Sequence, residues 1–192
     1  MKMGMEREKI GFHRWIIMLT ADLPRLTLLL GGARSGKSRR AQTLAEESGL
    51  VPVMIATAQA GDSEMAERIG RHRAERSQEW MTIEEPLEIL SAIGQPEFLG
   101  HILVVDCLTL WLSNLFFSER LVEHSIDELA SGLARLDRPC ILVSNELGLG
   151  IVPENELART FRDAQGRLNQ RMAQVCDHVE LIVAGLPLRI KP

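Results

Sequence analysis

The stretch GGARSGKS, from Gly31 to Ser38, has residue types and a spacing that suit the binding of phosphate groups. It fits the pattern G-x-x-x-x-G-K-[ST], in which glycines let backbone N–H groups converge on phosphate oxygens. Lys37 would neutralise the β- and γ-phosphates of a nucleoside triphosphate, and Ser38 would ligate Mg²⁺. The alternative is a glycine-rich turn that matches by chance. An apolar run before the stretch and a helical pattern after it argue against that alternative.

A second candidate metal ligand is Asp106, the last residue of the apolar run HILVVD. In open α/β sheets, ligands bind beyond the carboxyl ends of the strands, which is where this carboxylate would lie. We predict that Asp106 takes part in Mg²⁺ binding, either directly or through a water molecule. The alternative is that it only caps the helix that follows.

The segment RIGRHRAER contains a single histidine, His72, among four arginines. On a helix with about 100° per residue, His72 shares a stripe with the apolar Met65 and Ile69, which should face the protein. Arg68 and Arg76 lie one turn before and after it, and two neighbouring cations disfavour protonation of the imidazole. A neutral ring nitrogen could attack a nucleotide phosphorus and form a covalent phosphoramidate. The alternative is a partly buried helix histidine among solvated arginines.

The elements that must position these residues follow from the apolar pattern. Apolar runs predict strands at 26–30, 51–57, 101–106, 140–145 and 179–185. Helices are predicted at 38–48, 62–76, 108–117, 123–136 and from Pro153 or Glu154 to Cys176. Continuous apolar strands that alternate with helices indicate an α/β fold, with a mostly parallel sheet and helices on both faces. We predict one domain over residues 25–192 and, over residues 1–24, an extension outside the fold that need not be ordered.

Composition excludes several classes of protein. The net charge of −4 argues against nucleic-acid binding, because a polyanion binder normally has a basic surplus. No apolar run approaches the roughly 20 residues of a membrane span. The three cysteines are far apart and form no CxxC pair, so neither a zinc site nor a disulfide framework is indicated. We therefore expect a reduced, cytoplasmic compartment.

The phosphate-binding pattern alone does not choose between a kinase, a motor and a switch GTPase. The DxxG-like DAQG at 163–166 lies inside a predicted helix, and the sequence has no NKxD to read guanine. We therefore discard the switch GTPase. Two further alternatives stay open. One is a kinase for another small hydroxyl compound, in which only the γ-phosphate moves. The other is a nucleotide-binding regulator without catalysis.

Five stretches together resemble the bifunctional adenosylcobinamide kinase/adenosylcobinamide-phosphate guanylyltransferase family of cobalamin biosynthesis. They are GGARSGKS, IATAQAGDSEMAERIGRHR, VVDCLTLWLSNL, SNELGLGIVPENELARTFRDAQGRLNQ and AGLPLRIK. The resemblance implies a RecA-like P-loop NTPase fold, a homotrimer, and the corrinoid, GTP and ATP as substrates. It implies phosphorylation of the hydroxyl of adenosylcobinamide. It also implies transfer of GMP from GTP, through a guanylylated histidine, to give adenosylcobinamide-GDP and pyrophosphate.

The resemblance also implies roles for individual residues. His72 would carry the GMP, and Lys37 would serve catalysis. The implied nucleotide contacts are Gly31, Gly32, Ala33, Arg34, Ser35, Gly36, Lys37 and Ser38 of the P-loop, then Ala56, Thr57 and Ala58, then Arg73, Ala74, Glu75 and Arg76, and finally Glu84 and Asp106. Familiar members often have a His-His pair where this chain has Arg71-His72, so only the second position remains histidine.

The loop SNELGLGIVPEN, residues 144–155, lies between a predicted strand and a predicted helix at the expected ligand edge. We expect it to shape the site for the corrinoid arm or to lie between subunits, with a purely structural turn as the alternative. Glu146 in this loop is a candidate base for the kinase step, although no sequence feature singles it out.

Overall fold

The computed structural model describes residues 24–59 and 80–191. Within them, one seven-stranded sheet contains β1 Leu26–Gly31, β2 Val51–Ala56, β3 Met81–Glu84, β4 His101–Asp106, β5 Cys140–Asn145, β6 His178–Val183 and β7 Leu186–Lys191. The strand order is β3-β2-β4-β5-β1-β6-β7, and every neighbouring pair is parallel except β6 and β7. The predicted helix at 62–76, which carries His72, and nearly all of the predicted extension lie outside the described residues.

Helices cover both faces of the sheet. The described helices are α1 Lys37–Glu47, α2 Ile89–Ile93, α3 Leu108–Phe116, α4 Val122–Ala134 and α5 Glu156–Val175, and a 3₁₀ turn spans Pro96–Phe98. On one face, Ala41 and Ala45 of α1 pack in a cluster with Leu29. On the other face, α2 to α5 pack in a cluster with Leu28. Adjacent residues of β1 are therefore buried on opposite faces, which explains its nearly continuous apolar run and confirms the predicted α/β fold.

The predicted elements match the structure closely where the chain is described. All five predicted strands are present, and β4 and β5 have the predicted bounds. The long helix begins at Glu156, later than predicted, because the side chain of Asn155 caps it and accepts a hydrogen bond from the N–H of Ala158 at 2.9 Å. The short elements β3, α2 and β7 were not predicted.

The parallel strands bring their carboxyl ends to one edge of the sheet. In the strand register, Ala56 lies beside both Glu84 and Asp106, and Gly31 lies beside Asn145. The loops that follow β1 to β5 therefore start next to one another, at the edge where an open α/β sheet binds ligands.

Two inferences from composition can be compared with the structure. Cys107, Cys140 and Cys176 are free thiols buried in the core, and burial raises the pKa of Cys107 to about 11 and that of Cys176 to about 12. They therefore act as small apolar core residues rather than as nucleophiles. In the described parts of the chain, no helix has the length and apolar character that crossing a membrane requires.

Candidate functional site

The loop between β1 and α1 forms a cradle for phosphate groups, which we define as residues 31–38. Gly36 precedes the first residue of α1 with a φ of 103°, and Arg34 has a φ of 56°. The side chain of Lys37 is buried, and its ammonium donates to the carbonyl oxygens of Gly31 at 2.9 Å and Gly32 at 2.7 Å. The cation is therefore held across the loop by the loop's own carbonyls, at a helix N-terminus that favours anions.

The turn between β6 and β7 supports the cradle from behind. The N–H of Gly185 donates to the carbonyl of Ser35 at 2.9 Å. A Cβ atom on Gly31 would lie 2.4 Å from the carbonyl oxygen of Ile182, and one on Gly36 would lie 3.3 Å from the Cα of Gly185. Glycine at position 31 is thus required by a close backbone approach. The hydrogen bond from Gly185 gives the AGLP stretch, residues 184–187, a physical role in supporting the cradle.

Arg40 and Glu180 anchor α1 to β6. The guanidinium donates two hydrogen bonds to the carboxylate, Nε to Oε2 at 2.9 Å and Nη2 to Oε1 at 2.8 Å. His178 Nε2 lies 3.1 Å from Glu180 Oε1. The hydrogen bonds from Arg40 hold the pKa of Glu180 below its ordinary value, against the opposing effect of burial. The helix that carries Lys37 and Ser38 is therefore fixed to the sheet by a charged pair.

Thr57 joins the ends of β2 and β4. Its side chain is fully buried, and its hydroxyl donates to the carbonyl of Cys107 at 2.7 Å and accepts from the N–H of Cys107 at 2.9 Å. Its own N–H donates to the carbonyl of Asp106 at 3.3 Å. The hydroxyl is therefore committed to the backbone beside Asp106, and Thr57 holds that residue in place.

The structure brings all of the described site residues to one edge. The cradle, Ala56 to Ala58, Glu84 and Asp106 lie at or directly after the carboxyl ends of parallel strands. Glu84 and the P-loop residue Arg34 are exposed, whereas Ala58 and Asp106 are partly buried. The remaining site residues from the sequence, His72 and Arg73 to Arg76, lie outside the described residues.

The loop after β5 begins at the cradle. The N–H of Glu146 donates to the carbonyl of Gly31 at 3.0 Å, and the carboxylate of Glu146 accepts from the N–H of Gly148. Since β5 lies between β1 and β4, this loop starts between the cradle and Asp106.

A buried polar network holds the end of β5, and sequence reasoning missed it. The hydroxyl of Ser144 donates to Asn169 Oδ1 at 2.7 Å, and Gln165 Nε2 donates to both, at 2.9 and 3.0 Å. Asn169 Nδ2 then donates to the carbonyl of Asn145 at 3.0 Å. The signal was present, because Gln165 and Asn169 are an i, i+4 amide pair on the apolar face of α5.

The oxygen donors at this edge fit Mg²⁺ bound together with a nucleotide. Among residues 24–59 and 80–191, no cluster of three or more His, Cys, Asp or Glu side chains could hold a metal ion. Magnesium commonly takes one or two protein oxygens and completes its shell with phosphate oxygens and water. Ser38, in the first turn of α1, and Asp106, at the end of β4, are donors of that kind.

Comparison with known proteins identifies the family of this chain. The family model described as cobinamide kinase / cobinamide phosphate guanyltransferase matches residues 27–190. The chain belongs to this family. Two relatives of this chain are named bifunctional adenosylcobalamin biosynthesis proteins. CobP of Pseudomonas aeruginosa is 49% identical over 166 residues, covering 85% of this chain and 96% of the relative. CobU of Escherichia coli is 37% identical over 181 residues, covering 86% and 99%.

Comparison with solved structures shows that this chain has the RecA-like P-loop NTPase fold. The flagellar accessory protein FlaH of Methanocaldococcus jannaschii superposes with a TM-score of 0.52 at 14% identity, covering 90% of this chain and 81% of FlaH. A prototypical ATPase of the type III secretion system superposes with a TM-score of 0.53 at 10% identity, covering 86% and 56%. At such low identities, the likeness concerns the fold alone.

Proposed function

We propose that this chain phosphorylates adenosylcobinamide with a nucleoside triphosphate and then transfers GMP from GTP to the resulting phosphate. The observation that carries the proposal is the cradle, with Lys37 buried across it, at the same sheet edge as Asp106. The choice of acceptor substrate rests on membership of the cobinamide kinase / cobinamide phosphate guanyltransferase family.

In the kinase step, the hydroxyl oxygen of the corrinoid arm attacks the γ-phosphorus. The bond from that phosphorus to the β–γ bridging oxygen breaks, and a nucleoside diphosphate leaves. Lys37 exchanges its bonds to the loop carbonyls for phosphate oxygens and stabilises the charge that spreads over the transferred group. Ser38 and Asp106 would hold Mg²⁺, which supplies positive charge to the β- and γ-phosphates. Glu146 is our candidate for accepting the hydroxyl proton, since its backbone joins the cradle at Gly31.

In the transferase step, a ring nitrogen of His72 attacks the α-phosphorus of GTP and pyrophosphate leaves. The phosphate oxygen of adenosylcobinamide phosphate then attacks the same phosphorus, the P–N bond breaks, and adenosylcobinamide-GDP forms. The support for His72 is the family resemblance together with its sequence position, four residues after Arg68 and four before Arg76. Ala56 to Ala58, Arg73 to Arg76 and Glu84 are proposed nucleotide contacts on the basis of the family resemblance.

We also propose that the protein works as a homotrimer in the cytoplasm. The support is the family resemblance together with three free thiols, which suit a reducing compartment. Light scattering of the full chain measures the assembly directly, and a molar mass near three chains is expected.

The test is to incubate the full chain with adenosylcobinamide, Mg²⁺ and either ATP or GTP, and to identify the products by mass spectrometry. With ATP alone, we expect adenosylcobinamide phosphate, and with GTP, adenosylcobinamide-GDP. Lys37→Met should slow phosphorylation by at least about 100-fold, because a charge that stabilises the transition state is lost. His72→Asn with GTP should stop at the phosphate. The control is His124→Asn, an exposed histidine on α4.

Two results would contradict the proposal. Formation of adenosylcobinamide-GDP by His72→Asn at the wild-type rate would remove the histidine from the mechanism. Absence of any corrinoid product from the wild-type chain, despite measured GTP binding, would favour a nucleotide-binding regulator.

A further inference from the structure

An apolar groove of about 540 Å³ lies between the C-terminal end of α3 and the N-terminal half of α5. Its larger apolar lining residues are Phe116, Phe117, Leu147, Pro153, Leu157 and Phe161. Phe116 and Phe161 meet edge to face with ring centroids 5.3 Å apart, so the groove has a fixed aromatic base. By contrast, Phe117 is 84% exposed and Leu157 is 59% exposed. Much of this apolar surface is therefore not used by the core and is available to a ligand.

Both walls of the groove reach the phosphate edge. Asn114, in the C-terminal half of α3, donates from Nδ2 to the carbonyl of Thr57 at 2.9 Å, directly after the end of β2. Leu147 comes two residues after Asn145, which pairs with Gly31 of the cradle. Two extended residues span at most about 7 Å, and neighbouring strands lie about 5 Å apart. The Cα of Leu147 is therefore within about 12 Å of the Cα of Gly31. A molecule bound in the groove needs only a short arm to reach phosphates held in the cradle.

The chemistry of the lining fits the corrin ring of the acceptor. A corrin is a broad macrocycle with methyl groups and amide side chains on its edges, so its site needs apolar surface with a few hydrogen-bonding groups. The groove has this composition, because Ser113, Asn155 and Arg162 lie among its apolar residues. Its volume is also within the roughly 300–1,000 Å³ of small-molecule sites.

We propose that this groove binds the corrin ring of adenosylcobinamide, an inference that rests on the proposed function. The arm of the corrinoid extends from the groove along the start of the loop after β5, which delivers its hydroxyl to the γ-phosphate. The loop from Glu146 to Asn155 then forms one wall of the acceptor site. A second copy of this chain is the other occupant that such a surface could bind, and the experiment separates the two.

The test is equilibrium dialysis of the full chain against cobinamide, with and without a non-hydrolysable GTP analogue, followed by the visible absorbance of the corrin. The groove variants are Leu157→Gln and Phe117→Ser, both at exposed positions where truncation spares the core. The matched control is Leu188→Gln on β7, at a leucine that is 60% exposed and lies outside the groove lining. We expect each groove variant to weaken cobinamide binding about tenfold, and the control to stay within about twofold of wild type.

The outcomes are distinct. Unchanged cobinamide affinity in both groove variants, or no cobinamide binding by the wild-type chain, overturns the proposal. A lower molar mass of the groove variants by light scattering, with unchanged affinity per chain, assigns the groove to contact between copies instead. If wild type binds cobinamide through the groove but the product assay finds no phosphorylation, the proposed function fails and the groove assignment stands.

Discussion

The phosphate cradle and the apolar groove are neighbouring regions that are built in opposite ways. In the cradle, the Lys37 ammonium is buried and bonded to two carbonyls, and the N–H of Gly185 supports the loop from behind. In the groove, Phe117 and Leu157 are mostly exposed and the surfaces are apolar. Transfer of a phosphoryl group requires dipoles that are already oriented towards the charge of the transition state. Binding of an apolar acceptor requires only a matching surface.

This difference predicts how each region responds to substitution. Residues that orient the cradle are bonded into the sheet and α1, so changing them should lower the free energy of unfolding. Residues on the rim of the groove are exposed, so changing them should alter affinity for the acceptor and leave stability nearly constant.

The largest effect on stability is expected for Arg40→Met. The variant leaves the Glu180 carboxylate, whose side chain is 6% exposed, without the guanidinium that donates two hydrogen bonds to it. Removing one partner of a buried pair costs several kcal/mol, and we expect about 3 kcal/mol by urea unfolding at pH 7. The control is Arg171→Met, which breaks an ion pair with the largely exposed Asp127 and should cost less than about 1 kcal/mol. Equal losses of unfolding free energy in the two variants would show that the Arg40–Glu180 pair stabilises the fold no more than an exposed ion pair does.

The same pair predicts a pH dependence. Arg40 lowers the pKa of Glu180 in the folded state, and His178 contributes in the same direction. A lowered folded pKa gives stability that is fully present above the ordinary value of 4.5 and is lost as the pH falls through the folded pKa. The stability difference between wild type and Glu180→Gln should therefore be largest at pH 7 and shrink towards pH 3. A difference that stays constant over this range would contradict the assignment.

An intermediate effect is expected for Gly31→Ala. Its Cβ would lie 2.4 Å from the Ile182 carbonyl and 2.6 Å from Ser35 Oγ, so the cradle must shift away from β6. We expect a loss of about 2 kcal/mol in thermal or urea unfolding. Gly32→Ala is the matched control, because a Cβ at that position has no atom within 4 Å, and it should lower stability by less than about 0.5 kcal/mol. Similar losses at both positions would mean that the close approach does not constrain the loop.

The smallest effect on stability is expected in the groove. Phe117→Ser and Leu157→Gln should change the free energy of unfolding by no more than about 0.5 kcal/mol, since both side chains are more exposed than buried. Urea unfolding of the two variants beside wild type measures this. A loss above about 2 kcal/mol in either variant would show that the groove, like the cradle, is part of the folded core.

The sequence predicted the elements whose pattern depends on burial. Strand β1 was found because Leu28 and Leu29 are buried on opposite faces of the sheet, which produces a nearly continuous apolar run. Strand β7 was missed because it is an edge strand with a proline, and Leu186 and Leu188 are largely exposed. Strand β3 was missed because its four residues, Met81–Glu84, are at the opposite edge and none is buried.

The candidate site was predictable where a motif fixes the backbone. The P-loop pattern located Lys37, and the end of an apolar strand located Asp106. The contacts that orient these residues were not predictable, because they join distant parts of the chain. Thr57 bonds to Cys107 across two strands, and Gln165 bonds to Ser144 from a helix that follows in sequence. The groove was not predicted either, because Phe116 and Phe161 are 45 positions apart and meet only in the fold.

The most direct test of the central claim is a labelling experiment with GTP alone. The full chain is incubated with Mg²⁺ and GTP labelled at either the α- or the γ-phosphate, then denatured, and the retained label is counted. We predict acid-labile, alkali-stable α-label on the wild-type chain and on His124→Asn, none on His72→Asn, and no retained γ-label. Absence of α-label from wild type despite measured GTP binding, or undiminished α-label on His72→Asn, would contradict GMP transfer through His72.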